Sequence, residues 1–208
     1  KFPKVERYID EEILQRMRAH ITVVMPVKRK TVRHHITKFC QYNKNLYLLA
    51  QKKRWIVYED HPCKDAGEMC RVLRKIVNES ADRTAEVCAL IESNDRVIIF
   101  YNYNYELELL RKCCKVTGRK WTEWNGQVHQ LCLDQSAKKW CYLVQYTAGA
   151  EAWNCITTNV VIFYSANYSH KIMEQSAGRI DRINTHFVDL YYYHLMSKSS
   201  IDSAIDKS

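Results

Sequence analysis

Four runs of consecutive apolar residues in the second half of the chain predict buried β-strands. The runs are VIIFYN (97–102), CYLVQY (141–146), VVIFYS (160–165) and FVDLYYYH (187–194). Strands that are apolar at successive positions, rather than at every second position, are buried on both faces. Segments with helical spacing separate or follow these runs, at 104–116, 169–183 and 199–206. Strands that alternate with helices predict an α/β fold with a parallel sheet flanked by helices.

The first 80 residues have a different pattern, which predicts a basic and mainly helical segment. Helical spacing occurs at 10–19, 41–54 and 65–78. The residues that share one face of the last helix are Met69, Val72, Leu73 and Ile76. A further helix is predicted over 82–92. We therefore expect a linker segment at 1–80 and the α/β domain at 81–208.

Composition and charge are typical of a globular protein with a polyanionic partner. Apolar residues make up 47% of the 208 residues and charged residues 26%, which excludes a disordered chain. The net charge of +9 favours nucleic acid as the partner. A basic cluster that includes Lys28, Arg29 and Lys30 contacts the phosphate backbone in one interpretation and forms a solvated strand or loop in the other.

The sequence predicts neither a membrane span nor a metal site. No apolar run approaches the roughly 20 residues that span a bilayer, and the N-terminus has no apolar signal region, so we expect a cytoplasmic protein without membrane contact. The nine cysteines include no C-x-x-C pair of the kind that zinc sites usually have. Several lie in apolar segments such as WCYLV, so we expect reduced core cysteines.

Polar or small residues follow three of the apolar runs, at the predicted carboxyl ends of strands. They are Asn102-Tyr103-Asn104, Thr147-Ala148-Gly149 and Ser165-Ala166-Asn167. Ligands of an open parallel sheet bind at this edge. Loop residues are commonly polar as well, so their position alone leaves a ligand site and an ordinary loop both open.

The segment 169–183, SHKIMEQSAGRIDRI, carries the most specific chemistry of the chain. At about 100° per residue, a helix brings Gln175, Arg179 and Arg182 within roughly 60° of one another. The residues predicted to share the opposite face and to pack on the sheet are Met173, Ala177 and Ile180.

Two arginines on one face of this helix suit a phosphate ligand, because arginine is permanently charged and binds phosphate with two parallel hydrogen bonds. Gly178 suggests that another backbone or a ligand approaches closely, since glycine weakens a helix by about 1 kcal/mol relative to alanine. A surface helix in which Arg179 pairs with Asp181 or Glu174 is the alternative. Geometry alone leaves both open.

The sequence QSAGRIDR (175–182) resembles motif VI of superfamily-two helicases, in which a Gln or His precedes Gly-Arg and a second Arg. The resemblance implies that Arg179 and Arg182 act on the γ-phosphate of ATP, with Gln175, Gly178 and Gly149 beside the nucleotide. Arginines in such a role accelerate phosphoryl transfer by about 10³–10⁵ in related systems.

Three further segments resemble helicase motifs and occur in the family order. RVIIFYNYNYELELL (96–110) resembles motif IV, TEWNG (122–126) resembles the short segment that follows it, and QYTAGAEAWNC (145–155) resembles motif V. The implied nucleic-acid contacts are Asn102, Tyr103, Asn125, Thr147 and Asn154. Asn125 stands where Asp is common, and Ala150 and Ala152 stand where Swi/Snf-type proteins usually have Gly.

VLRKIVNES (72–80) resembles a Leu-Arg-x-Ile-x-Asn signature of Swi/Snf-type ATPases, and the C-terminal region is similar to phage-encoded members. The resemblance therefore implies a second RecA-like lobe of an ATP-dependent DNA translocase or helicase, in bacterial host cytoplasm if phage-encoded. Its expected partners are DNA, held by backbone contacts, and an N-terminal lobe of the same protein.

The sequence contains no G-x-x-x-x-G-K-[ST] phosphate-binding loop. We therefore expect the N-terminal lobe to bind ATP and Mg²⁺ and the chain alone to lack ATPase activity. The alternative is a non-catalytic nucleic-acid-binding module on a RecA-like fold, which needs only the basic residues at 28–33 and 52–54 and the aromatic strand ends.

Overall fold

The computed structural model describes residues 10–21, 30–133, 137–149 and 154–206. The chain divides into two units, one that ends at Lys30 and one that begins at Thr31. The first unit contains helix α1 (Glu11–Ile21), which confirms the predicted helix at 10–19. Glu11 and Glu12 lie in its first turn, where the helix dipole favours acidic side chains.

The second unit is an α/β domain. Its strands are β1 (Val32–Phe39), β2 (Trp55–Ile56), β3 (His61–Pro62), β4 (Arg96–Tyr101), β5 (Lys120–Trp124), β6 (Trp140–Gln145), β7 (Val160–Phe163) and β8 (Asp189–Met196). Its helices are α2 (Lys44–Lys53), α3 (Ala66–Asn78), α4 (Ala81–Ser93), α5 (Asn104–Val116), α6 (Tyr146–Gly149), α7 (His170–Ala177) and α8 (Ser200–Asp206).

Six of the strands form one sheet in the order β1-β8-β7-β4-β6-β5, and every neighbouring pair in it is parallel. The two short strands β2 and β3 pair separately as an antiparallel hairpin. The predicted α/β fold with a parallel sheet flanked by helices is therefore confirmed.

The core lies on both faces of the sheet, as the continuous apolar runs predict. Along β4, Val97 and Ile99 pack in a cluster with α4 and α5, whereas Ile98 and Phe100 pack in a second cluster on the other face. The second cluster includes Ala177 and Ile180, with Met173 packed against it, so these three predicted sheet contacts of the segment after β7 are correct. A third cluster contains the predicted apolar face of α3.

Residues 31–80 contribute to the same unit as the sheet. Strand β1 pairs with β8 from Val32 to Phe39 and forms one edge of the sheet. Arg33, at the end of the basic segment 28–33, therefore lies in a strand. The role of residues 1–80 as a linker in a longer protein stays a prediction.

The helix predicted over 169–183 is shorter in the structure. Helix α7 ends at Ala177, and Gly178 caps it with an N–H donated to the carbonyl of Glu174 at 2.9 Å. Arg179 and Arg182 therefore lie in the turns beyond the helix. The predicted arc of Gln175, Arg179 and Arg182 on one helix face is wrong, because the helix ends at Ala177, before the first arginine.

A buried ion pair joins α4 and α8 across the end of β7. Arg83, which is fully buried, donates to the Asp202 carboxylate at 2.9 Å and to the carbonyl of Tyr164 at 2.8 Å. The same carboxylate accepts the backbone N–H of Ser197, which follows β8. Two side chains, from α4 and α8, thus bind the backbone that follows β7 and β8.

Candidate functional site

A buried carboxylate organises the carboxyl edge of the sheet. Glu106, in the first turn of α5, accepts the backbone N–H of Asn102 at 2.7 Å, Asn78 Nδ2 at 2.7 Å and the Ser165 hydroxyl at 2.9 Å. Burial raises the pKa of the Glu106 carboxyl, and the hydrogen bond from Asn102, the charge of Arg74 and the hydrogen bond from Ser165 oppose the rise. One side chain therefore links the ends of β4 and β7 to α3.

The structure brings two of the predicted edge segments together. Asn102 Nδ2 donates to Ser165 Oγ at 2.8 Å and to the carbonyl of Ala166 at 3.1 Å. Its Oδ1 accepts Asn167 Nδ2 at 2.8 Å. The side chain of Asn102 thus joins the ends of β4 and β7 through hydrogen bonds, so its role at this edge is structural.

A buried arginine that the sequence did not single out supports Tyr103. Arg74 of α3 is 2% exposed and donates to the carbonyl of Ala166 at 2.6 Å. Its guanidinium carbon lies 5.1 Å from the ring centre of Tyr103 and 5.2 Å from that of Tyr168. Arginine packed between aromatic faces fixes the orientation of both rings. Arg74 lies in the segment that resembles the Leu-Arg-x-Ile-x-Asn signature, and this resemblance could have identified it as a candidate site residue.

Beside Tyr103 lies a surface cavity of 270 Å³ that combines tyrosines and basic side chains. We define the tyrosine surface by Tyr58, Tyr103, Tyr105, Arg71 and Lys75, which all line this cavity. The rings of Tyr103 and Tyr105 stack at 5.4 Å, and Lys75 Nζ lies 4.3 Å from the ring centre of Tyr58. Glu59 and Glu68 also line the cavity, so its charge is mixed.

The other predicted nucleic-acid contacts are dispersed. Thr147 in α6 and Asn154 are exposed. Asn125 is 7% exposed, and its Oδ1 accepts the backbone N–H groups of Gln127 and Val128 at 2.9 Å each, so it builds a turn. Gly149 ends α6. Lys30 is exposed and belongs to the first unit, while Lys28 and Arg29 lie outside the described residues.

Arg179 lies away from the polar edge formed by Asn102 and Ser165. Its carbonyl accepts the backbone N–H of Cys155 at 3.1 Å, and Cys155 belongs to the segment that leads into β7. The Arg179 backbone is therefore beside the entrance to β7, whereas Asn102 and Ser165 follow the carboxyl ends of β4 and β7. The predicted residues form two separate places rather than one cluster.

The two arginines interact electrostatically. Arg179 is 7% exposed, and burial together with the positive charge of Arg182 lowers the pKa of its guanidinium. Arg182 is half-buried, and within the described part of the chain its Nε is buried and has no hydrogen-bond partner. Two neighbouring guanidinium groups repel each other, so a shared anion would stabilise both.

The acidic residues of the same segment bind a third arginine. Arg33 of β1 contacts Asp181 at 2.8 Å and Glu174 at 3.2 Å. These are the two acids that the sequence offered as partners of Arg179. Gln175 is exposed on α7, and a Cβ added at Gly178 would lie 3.4 Å from the carbonyl of Glu174, an ordinary contact. No neighbouring atom is close enough to require glycine at position 178.

A cavity of 240 Å³ lies between the start of α7, the ends of β7 and β8, and the end of α8. It contains a histidine pair, in which His35 Nδ1 and His194 Nε2 are 3.0 Å apart. Burial, followed by the charge of His35, lowers the pKa of His194 to about 4. Within the described ranges, no three His, Cys, Asp or Glu side chains are grouped as metal ligands would be.

Residues 82–184 match the family model described as Helicase conserved C-terminal domain. This region begins in α4 and ends beyond Arg182, so it includes both arginines, Asn102 and Cys155. No curated protein is significantly similar to the chain in sequence. Over the described residues, no helix combines the length and apolar character that a membrane span requires.

Two solved structures have a similar fold. The C-terminal part of the Fun30 ATPase domain is 14% identical, with a TM-score of 0.66 over 85% of this chain and 88% of that one. The Sulfolobus solfataricus SWI2/SNF2 ATPase core in complex with dsDNA is also 14% identical, with a TM-score of 0.58 over 84% of this chain and 43% of that one. At this identity the likeness shows the fold alone. This likeness confirms the RecA-like α/β fold, and residues 82–184 are similar to a helicase C-terminal domain, whereas a phage origin has no support.

Proposed function

We propose that the chain is the C-terminal motor lobe of an ATP-dependent DNA translocase or helicase. In this proposal, Arg179 and Arg182 act on the phosphates of ATP held by an N-terminal lobe. The observation that carries the proposal is the pairing of a buried guanidinium with a second positive charge, within the region that matches the helicase C-terminal domain.

This arrangement suits phosphoryl transfer, in which negative charge is spread over the transferred group and is stabilised by fixed positive charges. Arg182 is the more accessible of the two, so we assign it the direct contact with the nucleotide. Arg179 is more deeply buried and reaches the phosphates after the partner lobe docks. Gln175, Gly178 and Gly149 stay candidates for the neighbouring contacts.

We assign ATP and Mg²⁺ mainly to the N-terminal lobe, which the family resemblance expects to carry the phosphate-binding loop. This chain's own contribution is to position the two guanidinium groups and to exclude water around Arg179. The isolated chain should therefore bind ATP weakly and hydrolyse none above background.

The DNA contact is assigned to the carboxyl edge of the sheet. Its support is the tyrosine surface with Arg71 and Lys75, the exposed Thr147 and the net charge of +9. The similar SWI2/SNF2 ATPase core was solved with dsDNA. A motor that moves along DNA must accept any sequence, so contacts to the backbone should dominate. Asn154, Lys28, Arg29 and Lys30 stay candidate contacts with the DNA backbone, independent of this edge.

The experiment compares two arginine variants of the protein that contains both lobes. Arg182→Ala should abolish most DNA-stimulated ATP hydrolysis while the Kd for DNA stays within a fewfold of wild type. Arg71→Ala should weaken DNA binding while the kcat at saturating DNA is retained. Equal losses of hydrolysis and DNA binding in Arg182→Ala would contradict the assignment and indicate that Arg182 is a DNA ligand.

The alternative is a non-catalytic nucleic-acid-binding module on the same fold, and the burial of Arg179 favours it. A buried arginine can serve packing alone, and the tyrosine surface needs no nucleotide. In that case, neither the wild-type protein nor its Arg182→Ala variant would hydrolyse ATP above background, with or without DNA.

A further inference from the structure

Two cysteine thiols contact each other beside the arginine segment. Cys132 Sγ and Cys155 Sγ are 3.6 Å apart. A disulfide requires about 2.05 Å, so a movement of about 1.5 Å would join them. Cys132 follows the turn after β5, and Cys155 lies in the segment that leads into β7, so the two sulfurs connect parts of the chain 23 residues apart.

The surroundings favour a thiolate on one sulfur and a thiol on the other. The Cys132 thiol donates to Cys155, and so do the Thr157 hydroxyl at 3.3 Å and the backbone N–H groups of Thr157 and Thr158. These donors outweigh burial and lower the pKa of Cys155 to about 6. The same contact, with burial, raises the pKa of Cys132. A thiolate beside a second thiol is the arrangement in which oxidation proceeds to a disulfide.

Other thiol–thiol contacts in the described chain have a different environment. Cys114 contacts Cys141, and Cys113 contacts Cys88. The pKa of Cys114 is raised by its contact with Cys141 and by burial, and that of Cys113 is raised by burial above all. Both members of the first pair are fully buried in the core, whereas Cys155 is 3% exposed and Cys132 is partly exposed. Cys114 and Cys141 therefore provide an internal control for Cys132 and Cys155.

We propose that Cys132 and Cys155 form a peroxide-sensitive dithiol whose oxidation to a disulfide fixes the segment entering β7 to the turn after β5. The Cys155 thiolate attacks one oxygen of hydrogen peroxide, the O–O bond breaks, and hydroxide leaves and takes up a proton as water. The Cys132 thiol then attacks the resulting sulfenic sulfur, and its proton leaves with the hydroxyl group as a second water. Two thiols and one peroxide thus give one disulfide and two waters.

The disulfide would act directly on the position of Arg179. The backbone N–H of Cys155 donates to the carbonyl of Arg179 at 3.1 Å, so a cross-link at Cys155 restrains the arginine segment. The redox chemistry itself does not depend on the proposed motor function, and its test reads the thiols rather than ATP hydrolysis.

The experiment treats the full chain with equimolar hydrogen peroxide, traps free thiols with N-ethylmaleimide and maps the peptides by mass spectrometry. We expect a Cys132–Cys155 cross-linked peptide that dithiothreitol reverses, while Cys114 and Cys141 stay alkylated. In Cys132→Ser, the cross-link should be lost and Cys155 should accumulate sulfenic acid that dimedone captures. Cys141→Ser should form the cross-link at the wild-type rate.

Two results would overturn the proposal. The first is that Cys132 and Cys155 stay fully alkylated under conditions that oxidise the core cysteines. The second is that Cys155 in the wild-type chain is converted to sulfinic acid and no cross-linked peptide forms. A melting curve for each variant separates loss of the thiol from loss of the fold.

Discussion

The imidazole of His194 is held neutral inside the fold. It lies in β8 with a centroid distance of 4.8 Å to the Phe163 ring, and its Nε2 faces His35 Nδ1. Burial lowers the pKa of His194 to about 4, below the ordinary value of 6.5. Between these two values the unfolded chain binds a proton that the folded chain excludes.

This difference predicts a loss of stability on acidification. The contribution of His194 is fully present above about pH 6.5 and is lost progressively as the pH falls toward 4, by about 3 kcal/mol in total. Urea unfolding at pH 7.5 and pH 5 should show a steeper loss for wild type than for His194→Gln. His186→Gln, at an exposed position, should behave as wild type. Identical pH dependence in wild type and His194→Gln would contradict the assignment.

Sequence patterns alone identify some of the candidate site residues and miss others. Arg179 and Arg182 were found because their spacing after Gln175 is distinctive, and the structure then showed that both are partly or largely buried. Tyr58 and Arg71 were missed as site residues, because a cavity between α3 and the β2–β3 hairpin depends on contacts distant in sequence. Asn125 was predicted to contact DNA, but its side chain accepts backbone hydrogen bonds within its own turn.

Strand β1 fixes the arginine segment through one ion-pair cluster. Arg33 binds Asp181, whose side chain is 5% exposed, and Glu174 of α7. A residue from the basic N-terminal part of the chain thus contacts the turn between α7 and β8 and helps to hold it in place. Residues 31–39 therefore have a structural role in the candidate nucleotide contact.

Removal of this cluster should destabilise the chain and displace the arginines. Arg33→Ala takes the guanidinium from a nearly buried carboxylate, which we expect to lower the free energy of unfolding by about 2–3 kcal/mol. Lys38→Ala, on the same strand, breaks the exposed Lys38–Glu86 pair and should cost less than about 1 kcal/mol. Chemical denaturation measures both. A smaller loss in Arg33→Ala than in Lys38→Ala would show that the cluster does not stabilise the fold.

The elements that the sequence predicted well are those buried on both faces. Strands β4, β6 and β7 have nearly continuous buried residues, and the apolar runs located each of them within two residues. The edge strands β1 and β5 are partly exposed, with polar residues between apolar ones, so no run marked them as strands. The end of α7 was missed because the apolar periodicity continues to Ile180, although the hydrogen-bonded helix stops at Ala177.

At the scale of the whole molecule, the candidate contacts separate into a DNA-facing edge and a nucleotide-facing turn. The tyrosine surface flanks the carboxyl end of β4, and the arginines lie beside the segment that enters β7. A motor lobe needs two such sites, because one must contact the nucleotide while the other binds the DNA.

The assignment of DNA to the tyrosine surface predicts that the salt dependence of DNA binding changes only when a charge is removed from that surface. Arg71→Ala removes an exposed charge from the tyrosine surface and should reduce the salt dependence of dsDNA binding by about one phosphate contact. Lys139→Ala removes an equal charge beside Asp95 at the opposite edge and should leave the slope unchanged. Fluorescence anisotropy at several salt concentrations measures both slopes. Equal slopes for the two variants would place the DNA elsewhere.

The most direct test of the central claim is the binding of a transition-state analogue to the protein that contains both lobes. An arginine that stabilises the transferred phosphoryl group binds the transition state far more tightly than the product. We predict that Arg182→Ala weakens binding of ADP with aluminium fluoride by at least about 10³-fold, while the Kd for ADP alone changes less than about threefold. Equal affinity of wild type and Arg182→Ala for the analogue would contradict the assignment of Arg182 to the nucleotide.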